Sequence, residues 1–402
     1  MKRTLIISAW APPQAGGSPI ILGRLLHKFP KNSYLILTSS TAAFKGNSVG
    51  KRLPAKYFFI GSVLASHPNQ GRSRPTNLFY KAFGFVFRRT ISPLIVELRD
   101  LKKIIEIRNR AVEITKNESV DLLMGTSDNG PFLLGSYLAS RRTGVPLYVF
   151  LFDLYAHNNF SFPKRVIANL MERIILRHAS RVFVTNDKTA KYYRKLYQIE
   201  PTVVEHTIRI PDVVDAKTAK EKPLVTYTGA IIYWAQKDSV INLIKALNLV
   251  PEVSLKIFTA LTKEQLERIG VWGDKVSLGF SKNTDIKREQ SKADILFLPM
   301  GFETPFPEIP RTASPGKLPE YLVSGVPILV HAPPDSYIAE DARKLGWGLV
   351  VDQKDPVVLA SAIKGLLADN NLRKKLVRNA FAVAKERHDQ QKVSDLFLNY
   401  FR

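Results

Sequence analysis

Short apolar runs of strand length alternate along this chain with longer segments whose apolar positions recur every three or four residues. Runs at 4–9, 34–38, 121–125, 145–152, 181–186 and 202–205, with a weaker one at 56–60, are separated by helical patterns at 20–29, 132–140, 162–177 and 188–197. The same alternation resumes with strands at 223–230, 255–259, 276–279, 294–299, 326–330 and 348–351, interleaved with helices at 239–249, 262–269, 284–292, 339–345, 356–369 and 371–387. The runs are apolar in nearly every position rather than in every second one, as strands buried on both faces require. Strand and helix in regular alternation predict α/β architecture with parallel sheets and crossover helices. A polar, lysine-rich stretch without periodicity at 212–222 divides the pattern and predicts a linker between a domain at 1–211 and one at 223–387.

Length agrees with that division, since 402 residues exceed what one hydrophobic core supports and imply two domains of roughly 200 residues each. Charge separates the halves further. Residues 1–200 carry 31 Lys and Arg against 11 Asp and Glu, which leaves 28 against 24 for the remainder of a chain whose net charge is +24. A basic half beside a nearly neutral half points to a polyanionic surface, nucleic acid or anionic membrane. The absence of cysteine excludes disulfides, thiolate metal sites and cysteine nucleophiles. No run reaches the ~18 apolar residues of a membrane span. Residues 1–11 imitate a signal peptide, but the apolar run is short and the next residues fit a functional loop.

The most informative stretch is T-A-S-P-G-K-L-P-E-Y-L-V-S-G-V-P at 312–327. Pro315 and Gly316 break the preceding chain, and Pro319 fits the first turn of a helix, where its missing N–H has no partner to lose. A short helix from about Lys317 therefore leads into a buried strand at 326–330. Unpaired amides of Gly316, Lys317 and Leu318 at a helix start favour a phosphate, and the Lys317 ammonium adds to that. Glu320 follows within one turn, where its two carboxylate oxygens can accept from a hydroxyl pair. A nucleoside diphosphate satisfies both demands; ordinary capping is the competing reading. Gly16 and Gly17, in P-P-Q-A-G-G after the first strand, let backbone approach an anion closely, although the pattern is not a dinucleotide fingerprint.

S-P-G-K-L-P-E-Y-L-V-S-G-V-P resembles the nucleotide-sugar loop and helix of GT-B retaining glycosyltransferases, in their branch with an S-P-x-K-L-x-E-Y signature. The resemblance implies two Rossmann-like domains facing a cleft, with residues 388–402 crossing back to the first domain. It implies that Glu320 binds the donor ribose, that Gly16, Gly17 and Gly229 lie near the diphosphate, and that Asp153 or His157 lies under the transferred sugar. Two departures stand out. Lys237 supplies one phosphate cation, but no arginine precedes it, and the family's first glutamate, eight positions before Glu320, is Thr312 here, with Glu303 and Glu308 nearby at other spacings. The base would lie near residues 279–281.

Residues 77–117 interleave aromatic and aliphatic positions with Lys and Arg, as in one or two long helices that can sit at an anionic lipid interface. The expectation is therefore a metal-independent retaining glycosyltransferase, peripheral on the inner face of the cell membrane. It would move a sugar from a nucleotide-diphosphate donor, UDP ahead of GDP, to a glycan or lipid-linked acceptor. A catalytically inactive GT-B scaffold that binds a membrane or protein is the alternative, and no nucleic-acid recognition module is visible.

Overall fold

The computed structural model describes residues 1–12, 17–39, 53–61, 92–127, 130–157, 162–214, 218–232, 235–279 and 286–402, without side chains at 92–99 and 162–164. Gly16 and residues 62–91, which hold much of the basic aromatic stretch, lie outside the described residues, as do Phe280 and Ser281.

Seven strands form the first sheet: β1 (Thr4–Ile7), β2 (Tyr34–Ser39), β3 (Lys56–Ile60), β4 (Leu122–Thr126), β5 (Leu147–Leu151), β6 (Arg181–Val184) and β7 (Thr202–Val203). Six form the second: β8 (Leu224–Thr228), β9 (Ser254–Phe258), β10 (Val276–Gly279), β11 (Ile295–Pro299), β12 (Ile328–His331) and β13 (Gly348–Val351). Every pairing is parallel, and the orders are β3-β2-β1-β4-β5-β6-β7 and β10-β9-β8-β11-β12-β13. Helices α1 (Gly17–Leu26), α2 (Ser92–Asn117), α3 (Gly130–Thr143), α4 (Phe162–His178) and α5 (Asp187–Tyr197) belong to the first domain. The second carries α6 (Lys237–Leu247), α7 (Lys263–Arg268), α8 (Ile286–Gln290), α9 (Glu308–Thr312), α10 (Leu318–Leu322), α11 (Tyr337–Leu345), α12 (Pro356–Ala368) and α13 (Asn370–Arg387), before α14 (Gln390–Asn399).

Strand order reverses at β1/β4 in one sheet and β8/β11 in the other. In open parallel sheets ligands gather outside the carboxyl ends of strands at such switch points. The segments that follow β1 and β8 lie at these switch points, and that after β5 lies one strand away at the same carboxyl edge.

Burial follows the sequence pattern. β1, β2, β4 and β5 are buried at every position, and cores form on both faces of each sheet. The carboxyl-terminal α14 packs on the first domain, where Phe397 and Phe401 join Phe29, Phe150 and Phe183 in an aromatic cluster. The chain thus passes between domains twice, and the two passages run side by side through a parallel bridge of Ile208 with Asp389.

Candidate functional site

The carboxyl end of β8 meets the start of α10. Lys317, the residue before α10, donates from Nζ to the Thr228 carbonyl at 2.8 Å and sits 3.9 Å above the Tyr227 ring. Tyr321, one turn on, takes the Thr228 amide at 3.0 Å on its hydroxyl, so the K-L-P-E-Y spacing aims both side chains at the same strand end. Gly229 has φ +125°, which requires glycine for the backbone, and a Cβ there would lie 3.2 Å from Lys317 Nζ and press on the lysine tip. Burial pushes the Lys317 ammonium down to about 7. The amides of Gly316 and Lys317 make no hydrogen bond among the described residues, but that of Leu318 donates to the Pro315 carbonyl at 2.9 Å. The expectation of three open amides is corrected to two, because the turn that starts α10 closes on Pro315.

Helix α1 faces this corner from the first domain. Its first residue, Gly17, has open space where a side chain would be, Ile21 lies 3.9 Å from the Cβ position of Gly316, and Arg24 holds Glu320 at 2.7 Å. Residues 17, 21 and 24 share one helical face. Arg24 also donates to the Thr207 carbonyl at 2.7 Å, and the Glu320 side chain keeps 17% of its surface exposed. Lys287 on α8 feels the same carboxylate: burial lowers its pKa, Glu320 raises it, and Arg24 and Arg209 lower it. Arg24 thus pairs with Glu320 and Lys287 lies in its field, with Lys317 three residues before it in sequence. Lys237 opens α6 and lines a surface depression with Glu303 and Lys354.

In the first domain, β5 ends at Leu151, Asp153 is exposed, and a single 3₁₀ turn, Tyr155–His157, buries His157 to 8% exposure. Arg165, which can only donate, reaches His157 Nδ1 at 2.9 Å, so that nitrogen accepts and the ring proton resides on Nε2, facing the Tyr192 hydroxyl at 3.0 Å. Burial lowers the His157 pKa, Glu308 opposes this, and Arg165 adds to it. Glu308 Oε2 lies 3.5 Å from Nδ1 and has no hydrogen-bond partner.

Glu303 is elsewhere, 78% exposed and paired with Lys354 at 2.7 Å. Thr312 is buried, and its carbonyl accepts from Asn186 at 2.8 Å and Thr189 at 3.2 Å, so position 312 is used to join the domains. One turn before it on the same helix, Glu308 puts its carboxylate against His157 across the cleft. Among the described residues no cluster of three or more His, Asp and Glu side chains forms a metal site.

Two family models match this sequence: the Glycosyl transferase 4-like domain over residues 76–206 and Glycosyl transferases group 1 over residues 212–383. The chain belongs to the GT-B glycosyltransferases. Among solved structures, HepE of Anabaena in complex with UDP-glucose aligns with a TM-score of 0.67 at 16% identity, over 99% of this chain and 98% of its own. Sucrose-phosphate synthase of Thermosynechococcus elongatus aligns at 0.68 and 13% identity, over 100% and 98%. A glycosyltransferase of Rickettsia africae aligns at 0.63 and 14%, over 100% and 98%. At these identities the likeness is one of fold. No curated protein matches the sequence.

In this glycosyltransferase the residues singled out from sequence fall into two groups. Gly229, Gly316, Lys317 and Glu320 come together with Gly17 at the α1–α10 corner, whereas Asp153 and His157 lie beyond β5. Arg24 and Lys287 were missed, and Glu308 was noted beside Glu303 without a role. Arg24 was visible as the residue seven after Gly17, on the same face; Lys287 and Glu308 carry no local signal, because their partners come from distant segments.

Proposed function

We propose that this glycosyltransferase moves a sugar, with retention, from a nucleotide-diphosphate donor to a glycan or lipid-linked acceptor, UDP being preferred to GDP. What carries the reading is the α1–α10 corner, where two open amides and the buried Lys317 ammonium stand at the start of the helix that carries Glu320, itself paired with Arg24 and in the field of Lys287, an arrangement that suits a diphosphate beside a ribose. UDP and UDP-glucose are the ligands in the HepE structures, which share this fold. Lys317, Arg24 and Lys287 can hold the leaving diphosphate as its charge develops, without a resident metal. His157 and Glu308 line the side where sugar and acceptor hydroxyls would meet.

The acceptor reading draws on α4. Val166, Ile167, Leu170 and Ile174 are 39–60% exposed on one face of this helix, which also exposes Arg173 and Arg177. The face begins next to Arg165, the His157 partner, so a headgroup held at a membrane surface would be close to the site. Peripheral attachment to an anionic, cytoplasmic membrane face follows as part of the proposal. No helix among the described residues is long and apolar enough to cross a membrane.

The test is a melting screen with UDP, GDP, UDP-glucose and GDP-mannose, since a ligand that binds only the folded protein raises Tm. UDP compounds should raise it, Glu320→Ala should abolish the rise, and EDTA should leave UDP-glucose turnover unchanged. A protein whose melting no nucleotide moves would remove the donor assignment.

A further inference from the structure

Glu172 lies on the inner face of α4, 1% exposed, with no cation paired to it among the described residues. A carboxylate in that setting is costly to desolvate and persists only where several donors converge on it. Oε1 accepts from the Tyr193 hydroxyl at 2.7 Å and the Ala156 amide at 3.2 Å, and Oε2 accepts from the Tyr197 hydroxyl at 2.7 Å. Tyr193 in turn receives the Tyr155 amide at 3.3 Å. These two amides belong to the turn that ends in His157, and helix-start amides have no partner within their own turn. Two hydroxyls from α5 and one acid from the middle of α4 therefore fix this three-residue segment from outside its own turn.

We infer that Glu172 is a positioning residue, which anchors the 155–157 turn from below and so sets where the His157 imidazole stands opposite Glu308. The inference rests on the reading of His157 as the group beneath the transferred sugar. Burial raises the Glu172 pKa while its tyrosine and amide donors lower it, as expected for an acid held by hydrogen bonds alone. A leucine at 172 would fill the space and leave the Ala156 amide and two tyrosine hydroxyls unsatisfied. A glutamine keeps an acceptor for Ala156 and gives up the charge.

The experiment uses the full chain, histidine-labelled for NMR, together with UDP release from UDP-glucose. The His157 ring signal, one of seven, is assigned by its loss in His157→Gln. In Glu172→Gln, and more in Glu172→Leu, that ring should titrate closer to the ordinary histidine range, while buried His331 in the other domain titrates as before. UDP release should fall at least about tenfold with UDP affinity unchanged, the scale of loss when a reacting group shifts by a fraction of an ångström. The same substitutions placed in His157→Gln should lower it no further.

A His157 ring that titrates identically in both Glu172 variants overturns the positioning role, as do losses that add to those of His157→Gln. If the titration moves but His157→Gln leaves UDP release intact, positioning stands and the role of His157 in transfer falls.

Discussion

At the scale of single residues, Lys317 has the most direct consequence. Its ammonium is buried with no ion pair among the described residues, which brings its pKa to about 7 from an ordinary 10.5. The sign follows from linkage: the unfolded chain holds this proton up to pH 10.5 and the folded one only to about 7. The penalty for burying the charge is absent above 10.5, grows as the pH falls, and is complete below 7. A diphosphate placed over Gly229 supplies the missing counter-charge and raises the pKa again. UDP binding at pH 8 should therefore take up a proton, seen in calorimetry as a binding enthalpy that changes with buffer ionisation enthalpy, and Lys317→Met should remove that dependence. Glu308 gives a second residue-scale outcome. Its oxygen near His157 is unpartnered, whereas Glu303 is an exposed partner of Lys354. Glu308→Ala should lower UDP release by about tenfold or more, with Glu303→Ala near wild type; equal effects would refute the distinction. Sequence spacing could not choose between them, because the choice is made by the first domain, which supplies both His157 and the hydrogen bonds that bury Thr312.

At the scale of elements, most strands were legible because a strand covered on both faces must be apolar throughout, and β1, β2, β4 and β5 are. Helix α9 has no counterpart in the sequence pattern: five residues with Pro310 inside show no period, and contacts with α5 and α11 hold them instead. Helix α1 begins at Gly17 rather than Ile20, since Pro19 fits its first turn. That early start aligns Gly17, Ile21 and Arg24 toward the second domain. The Arg24–Glu320 pair is four-fifths buried, so it should couple measurably: a double-mutant cycle of Arg24→Met and Glu320→Gln, read by melting without ligand, should show roughly 1–3 kcal/mol. Additive losses would mean the pair is incidental. The outward face of α4 has a different test. Ile167→Asp with Leu170→Asp should leave melting unchanged, because both side chains are exposed, yet reduce sedimentation with phosphatidylglycerol vesicles. Unchanged sedimentation would move the membrane contact off this helix.

At the scale of the whole molecule, the two sheets are held by the junction where the chain crosses between them. Arg387, the last residue of α13, donates to Glu205 at 2.9 Å, to Asp341 at 2.7 Å and to the Tyr337 hydroxyl at 2.9 Å. His388, next to it, donates from Nδ1 to the His206 carbonyl at 2.7 Å. Glu205 follows the last strand of the first sheet, so one guanidinium ties the first domain to α11 of the second. Burial pushes the Glu205 carboxyl up to about 7 against the opposing pull of Arg387. Replacing Arg387 with methionine leaves two largely buried carboxylates facing each other without a counter-charge, an arrangement that costs about 3–5 kcal/mol. Without the cation, the folded-state pKa of Glu205 rises further above its unfolded value. The folded variant then binds a proton that the unfolded chain releases, so its deficit is greatest above that pKa and shrinks as the pH falls toward the ordinary carboxylate range. Arg387→Met should accordingly melt roughly 10 °C below wild type at pH 8, with a clearly smaller gap at pH 5.5. A gap that stays constant across that range would mean the lost packing of the arginine stem, rather than the two stranded acids, sets the stability of the junction.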